Sequence, residues 1–282
     1  MAANLAEYPI FPAWADPTLP PRERLPTMYD LPSEEVGDPG MPDEFHVLQP
    51  SLLRETFRPP GIPPEQVFSA ADMNLYYDPR HFGWYKRPDW FAVLGASRLY
   101  QQKDMRLSYV IWQEEIAPTV VLEMLSPGTE DEDLGEGPLR KYNEPPPKWD
   151  VYERILQVPL YIVYSRYTQK LRVFRLRAGR YLPLSVKERR CWLKEIGLGI
   201  GLWEGEHLFV PGTWLRWYDR DGHWIPTSTE QERERTNQER KRADQERKRA
   251  DQERERADQE RERADHLAQQ LRALGIDPET LI

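Results

Sequence analysis

Cysteine is almost absent from this chain: Cys191 is the only one in 282 residues. A single thiol closes no internal disulfide, which excludes a disulfide-stapled secreted scaffold and favours a reducing compartment. Long apolar runs are missing as well. Nowhere does the sequence reach the roughly 20 consecutive apolar residues that a membrane-spanning helix needs. The opening MAANLAEYPIFPAW has neither a basic start nor an apolar stretch, so no signal peptide is expected and the reading is a cytoplasmic protein with no membrane attachment. His46, His81, His207, His223 and His266 show no HExxH or other paired spacing, which argues against a zinc site. No P-loop and no GxGxxG occurs, and GLGIG at 197–201 lacks the Lys-Ser/Thr of a phosphate loop and reads as a turn or bulge. An excess of positive charge is also lacking. The net charge of −8 and pI near 5.4 speak against a non-specific nucleic-acid coat. A local basic groove can still act within a Debye length of about 8 Å.

What is plentiful is proline and charge, and neither is spread evenly. The 27 prolines are about twice the usual share of roughly 5%. Residues 1–40 carry PIFP, DPTLPP and DPGMP, and proline there removes backbone donors, so this part reads as an extended N-terminal arm. The last fifty residues concentrate the charge. Residues 41–228 are left rich enough in apolar and aromatic side chains to form one core.

Within 41–228, DEFHVLQPSLLRETF (43–57) suggests a short helix pair broken at Pro50. VFSAADMNLYYD (67–78), WFAVLG (90–95), LSYVIW (107–112) and TVVLEMLS (119–126) are short runs with valine and aromatic enrichment. They are expected as strands, the near-continuous ones buried on both faces. Residues 126–147 form a long loop full of helix breakers, and loops of that length are often functional. KWDVYERIL (148–156) reads as a helix, LYIVYS (160–165) as a strand, and 171–184 as a hairpin turning at Ala178-Gly179. EIGLGIGLWEGEHL and TWLRWYDRDGHWIP add further short strands. The order predicts a mixed α/β (α+β) domain, with a mixed β-sheet flanked by helices.

From residue 229 the text changes to a heptad repeat, QERKRAD and its variants. Ala243, Ala250, Ala257 and Ala264 are the only apolar positions in four heptads, half of what a coiled coil uses. Pairs such as Asp244–Lys248 and Arg242–Glu246, four apart, support a long solvated helix by about 0.2–0.5 kcal/mol each. An alanine-seamed oligomer is the competing reading. Residues 230–282 hold 15 acids against 13 bases, a net of −2, so this is no basic DNA clamp.

Three residues carry the chemistry. Glu123 lies within TVVLEMLS, and burying a carboxylate there without a partner costs several kcal/mol, so an ion pair, a proton or a metal should accompany it. Asp89 opens the neighbouring run, and two carboxylates converging at a sheet edge make a hard-oxygen site of the kind that takes Mg²⁺. Lys148 opens a helix. Each has a plainer reading: Asp as a turn residue, Glu in a structural ion pair, Lys as a solvated helix start.

The ordered set Pro88-Asp89, Glu123 with Ser126, Lys148 with Tyr152, and Val158-Pro159 with Tyr161 resembles a bacterial restriction-endonuclease family of the Uma-two type, within the PD-(D/E)XK nuclease superfamily. The resemblance covers roughly 41–225. It implies a restriction-endonuclease-like core and hydrolysis of DNA phosphodiester bonds. It also implies Asp89 and Glu123 as Mg²⁺ ligands, Lys148 as the catalytic lysine, and Tyr152 beside it. The plain superfamily pattern places the lysine two residues after the acid. Position 125 is Leu here, so the lysine comes from the following helix, where Lys148 and Tyr152 share a face at i and i+4 and Ile155 is expected to point at the same sheet. Arg140 and Lys141 compete for the role from the loop, and Glu44 is a candidate extra acid. Trp84, Tyr85, Lys86 and Arg87 are candidates for nucleic-acid contact. A homo-oligomer through the nuclease domain or the C-terminal helix fits the pattern. The alternative is a catalytically silent nuclease-like protein whose heptad helix recruits partners.

Overall fold

A computed structural model describes residues 43–126, 130–137 and 144–273. The N-terminal arm, Arg140, Lys141 and the last nine residues lie outside that set. The chain divides into two compact units between Trp224 and Ile225.

The first unit is mixed α/β. Helix α1 (Glu44–Thr56) starts at Asp43, whose side chain accepts the His46 N–H at 3.1 Å, a standard helix N-cap bond. It runs through Pro50 without breaking, against expectation. The missing proline bond is offset by docking. Gln49 is fully buried and bonds both ways to the Leu215 backbone, at 2.8 Å each, while Leu52 and Leu53 are completely buried.

Short strands follow: β1 (Val67–Ala70), β2 (Leu75–Tyr76), β3 (Tyr85–Lys86), β4 (Trp90–Leu94) and β5 (Tyr109–Val110). Two expected strands are thus shorter than their apolar runs. The 67–78 run breaks at Asp72, which takes φ +48°, and the 107–112 run pairs over only two residues before helix α2 (Ile111–Glu114). The first run leaves the main sheet after four residues paired with β4, and the second pairs only with the two-residue β2. Strand β6 (Val120–Met124) is buried at every position.

A crossover carries α3 (Glu130–Leu134), then α4 (Lys148–Asp150), which continues as a π-helical turn, Val151–Ile155. It leads into β7 (Leu160–Ser165), parallel to β6; parallel neighbours require a crossover of this kind. Strands β8 (Lys170–Arg177) and β9 (Arg180–Pro183) form the expected hairpin, with Ala178 and Gly179 both at positive φ. This is the backbone of the favoured two-residue turn. The main sheet runs β1-β4-β6-β7-β8-β9. One face is packed by Phe91, Val121, Val151, Tyr152, Tyr161 and Val163.

A second, antiparallel sheet is built from β10 (Arg190–Leu193), β11 (Leu198–His207) and β12 (Val210–Tyr218). Its strands are longer than the sequence suggested. GLGIG is no phosphate loop: Gly197 stands in the expected turn at φ +65°, and residues 198–201 are strand. A Cβ on Gly199 would sit inside the Tyr218 ring, and one on Gly201 would come within 2.8 Å of Arg190. The glycines are there to let side chains of neighbouring segments lie across the strand.

Among the described residues, the second unit is a short lead-in followed by one helix, α5 (Ser228–Ala273), which has no buried residue. Thr227 and Glu230 form a reciprocal capping box at its start, at 2.7 and 3.2 Å. No helix among the described residues is long and apolar enough to cross a membrane.

Candidate active site

The site begins with strand register. β4 and β6 are antiparallel with Trp90 opposite Leu122, so one step further Asp89 stands opposite Glu123. Side chains alternate between the faces of a sheet. Asp89 therefore shares a face with Phe91 and Val93, and Glu123 shares it with Val121, on the side covered by Val151 and Tyr152. The contacts agree: the Asp89 N–H donates to Glu123 Oε2 at 3.2 Å, and the Met124 N–H makes a short bond to Asp89 Oδ2.

Glu123 has no exposed surface. Tyr152 Oη donates to its Oε1 at 2.8 Å, and Lys148 Nζ to its Oε2 at 3.0 Å. The same ammonium lies 3.0 Å from Asp133 Oδ1. An ammonium carries three protons. Glu123 accepts one of them, while Asp133 Oδ1 is an ion-pair neighbour that accepts no hydrogen bond. The helix does not stay α-helical from Lys148 to Tyr152, yet both side chains reach Glu123. The π turn widens the helix and changes the phase beyond it, so Ile155 is 45% exposed rather than turned to the sheet.

Elements that sequence reasoning missed hold Lys148 in place. Asp133, on α3, is 2% exposed, and its carbonyl accepts the Tyr161 hydroxyl at 2.8 Å. Its neighbour Glu132 accepts the Lys148 backbone N–H at 3.1 Å and Lys86 Nζ at 2.6 Å. Pro147 offers no side-chain cap to α4. Glu132 supplies the acceptor from another element, and negative charge at a helix start is favourable. The only trace in sequence is the acidic run EDED in a loop otherwise made of breakers. Glu44 is exposed on α1. The inward residue there is His46, buried and 2.9 Å from Asp43.

Electrostatics follow from burial and from an imbalance of sign. Burial pushes the Glu123 carboxyl up to about 8; Lys148 opposes this, while Asp89 and Asp133 add to it. Asp89 is likewise raised, first by burial. Burial would lower the Lys148 ammonium, but Asp133, Glu123 and Asp89 together outweigh it, and Lys148 is held well above its ordinary value. Three carboxylates thus face one ammonium, and ionising all of them leaves two negative charges over. That surplus, on hard oxygen donors at the end of two strands, fits a small divalent cation. A second group, Asp219, Asp221 and His223, places its ligand atoms within 4.8 Å of one another. There Asp219 Oδ1 already accepts the backbone N–H groups of Asp221 and His223, at 3.0 and 2.9 Å, and closes a surface turn.

Of the residues ahead of Asp89, Trp84 stacks on His81 at 3.8 Å, Lys86 is buried, Arg87 pairs with Asp72 at 2.6 Å, and Tyr85 is exposed. Residues 19–204, well over half of the chain, match the model of the family Uma2, described as "Putative restriction endonuclease". Comparison with curated proteins gives no match.

Proposed function

The chain belongs to the Uma2 family, and from that premise we propose that it is a Mg²⁺-dependent DNA endonuclease that hydrolyses phosphodiester bonds at the Asp89–Glu123–Lys148 site. The observation that carries the reading is the fully buried Glu123, flanked by Asp89 and gripped by Lys148 and Tyr152. Asp89 and Glu123 would hold the metal. When bound, it supplies positive charge that polarises a phosphate and acidifies a water.

The protein's own residues do the rest. Tyr152 fixes the Glu123 carboxylate by donating to Oε1, so the other oxygen keeps its orientation. Asp133 and Glu123 hold the Lys148 ammonium between them by charge, where it can meet an attacking water or a phosphoryl oxygen. A fixed positive charge at that point offsets the negative charge that grows in the transition state. Glu132 secures the start of the helix that carries the lysine. Localisation in a reducing, cytoplasmic compartment fits the single buried Cys191.

Supercoiled plasmid incubated with the protein and Mg²⁺ is expected to be nicked or linearised, with EDTA or Asp89→Ala abolishing the reaction. A protein that binds divalent metal at this site yet leaves plasmid intact would favour the silent, partner-recruiting alternative.

A further inference from the structure

We propose that a pocket beside Asp89 receives one unpaired nucleobase, so that the protein acts on single-stranded or locally opened DNA rather than on intact duplex. This rests on the nuclease reading above and names its substrate class. The pocket measures about 420 Å³ and is lined by Asp72, Met73, Asn74, Tyr85, Arg87 and Leu107. That is at the small end of the roughly 300–1,000 Å³ typical of ligand pockets.

Its place is fixed by two links to the strand that bears the acid. The Asp72 N–H donates to the Pro88 carbonyl at 3.0 Å, and Arg87 Nη2 donates to Asp72 Oδ2 at 2.6 Å. Asp89 is the next residue. Asp72 adopts φ +48°, a left-handed conformation that the short Asp side chain tolerates and that these two bonds hold. The pocket wall is therefore tied to the metal-binding end of β4.

The lining chemistry suits a base better than a phosphate. Arg87 is already neutralised by Asp72, so the pocket offers no surplus positive charge to an anion. Tyr85 is 41% exposed and leaves part of its ring uncovered for stacking. Asn74 is half-buried; its carbonyl accepts the Tyr109 N–H at 2.8 Å, while its side-chain amide makes no hydrogen bond among the described residues. An amide offers a donor and an acceptor side by side, which matches the edge of a base. Leu107, 97% exposed, extends the rim with apolar surface. Bases inside a duplex are stacked and cannot turn sideways into such a pocket, so only an unpaired one fits.

The test uses the full chain in EDTA, so that no cleavage occurs, and fluorescence anisotropy with a labelled single-stranded oligodeoxynucleotide and its blunt duplex. The single strand is expected to bind at least about ten-fold more tightly than the duplex. Tyr85→Ala should weaken single-strand binding roughly ten-fold, as loss of one stacked base does, and Tyr85→Phe should bind like the wild type. Equal affinity for both DNAs, no effect of Tyr85→Ala, or an equal loss with Tyr85→Phe would overturn the proposal. Tyr85-dependent binding without any Mg²⁺-dependent cleavage would overturn the nuclease reading and leave the pocket standing. Cleavage indifferent to Tyr85 and to strandedness would do the reverse.

Discussion

Replacing Lys148 by methionine removes the ammonium and keeps most of the side-chain volume. In the native site that ammonium lies 3.0 Å from Glu123 Oε2 and 3.0 Å from Asp133 Oδ1, with 21% of its side chain exposed. Removing one partner of a buried pair costs about 3–5 kcal/mol when the other stays charged. Here the cost is capped, because Glu123 already sits near 8 with the lysine present and without it takes a proton instead. The folded protein should therefore survive Lys148→Met with a lower melting temperature. Catalysis has no such escape. A preorganised donor that meets developing charge is worth about 2.7–4 kcal/mol, which corresponds to a loss of roughly 10²–10³ in kcat. Metal affinity should move the other way or not at all, since Lys148 competes with the cation for Glu123. Calorimetric Mg²⁺ titration beside plasmid cleavage separates the two effects, with Lys141→Ala as the comparison. Cleavage that survives Lys148→Met but is abolished by Lys141→Ala would refute the assignment. A fall in Mg²⁺ affinity matching the fall in rate would instead make the lysine part of the metal site.

Glu123 and Asp89 are both raised in the folded state, so the folded chain keeps protons that the unfolded chain has released. Stability from this source is full below the ordinary carboxylate range and is lost as pH rises towards about 8. Melting in EDTA should show that fall, Glu123→Gln should flatten it, and Mg²⁺ should reverse it; a slope identical in wild type and Glu123→Gln would contradict the burial argument. Tyr152→Phe deletes a hydrogen bond to a buried carboxyl that largely keeps its proton at pH 7, made at 2.8 Å, and should cost about 0.5–1.5 kcal/mol in urea unfolding at that pH; an unchanged midpoint would mean the bond contributes nothing. Among the described residues, truncation before residue 230 removes no buried side chain, so the first unit should melt within a few degrees of the full chain. A large drop would show that α5 docks on it.

Much of the main sheet was readable because its strands are buried on both faces and therefore run apolar without interruption: 90–94, 120–124 and 160–165. The hairpin at 170–183 announced itself through alternation and an Ala-Gly turn. What failed has a common cause. Pro50 looked like a helix break, and 107–112 like a strand, because local propensity was weighed without the partner that decides the outcome. Gln49 docking on Leu215 keeps α1 whole, and no long neighbour extends β5. In GLGIG, Gly197 does stand in a turn, but Gly199 misled for a related reason: a glycine needed by a ring crossing overhead looks in sequence like a glycine needed by a turn.

The candidate site divides along the same line. Glu123 stands out in sequence because a carboxylate in an apolar strand demands compensation, and Asp89 because register follows from two adjacent strands. Asp133 and Glu132 leave no such mark. Each is one acid among several in EDED, and which of them turns inward depends on how the crossover folds back over the sheet. Lys148 lies fifteen positions after Asp133 in the chain, so no helical spacing links them; the 3.0 Å contact is made by tertiary closure alone. The same closure explains why an acidic protein can carry an ammonium at its centre without losing the charge. The three carboxylates that make the lysine hard to find by composition are the ones that hold it protonated. Net charge therefore says little about whether this fold can meet a phosphate. The sign that matters is set within a few ångströms of Glu123.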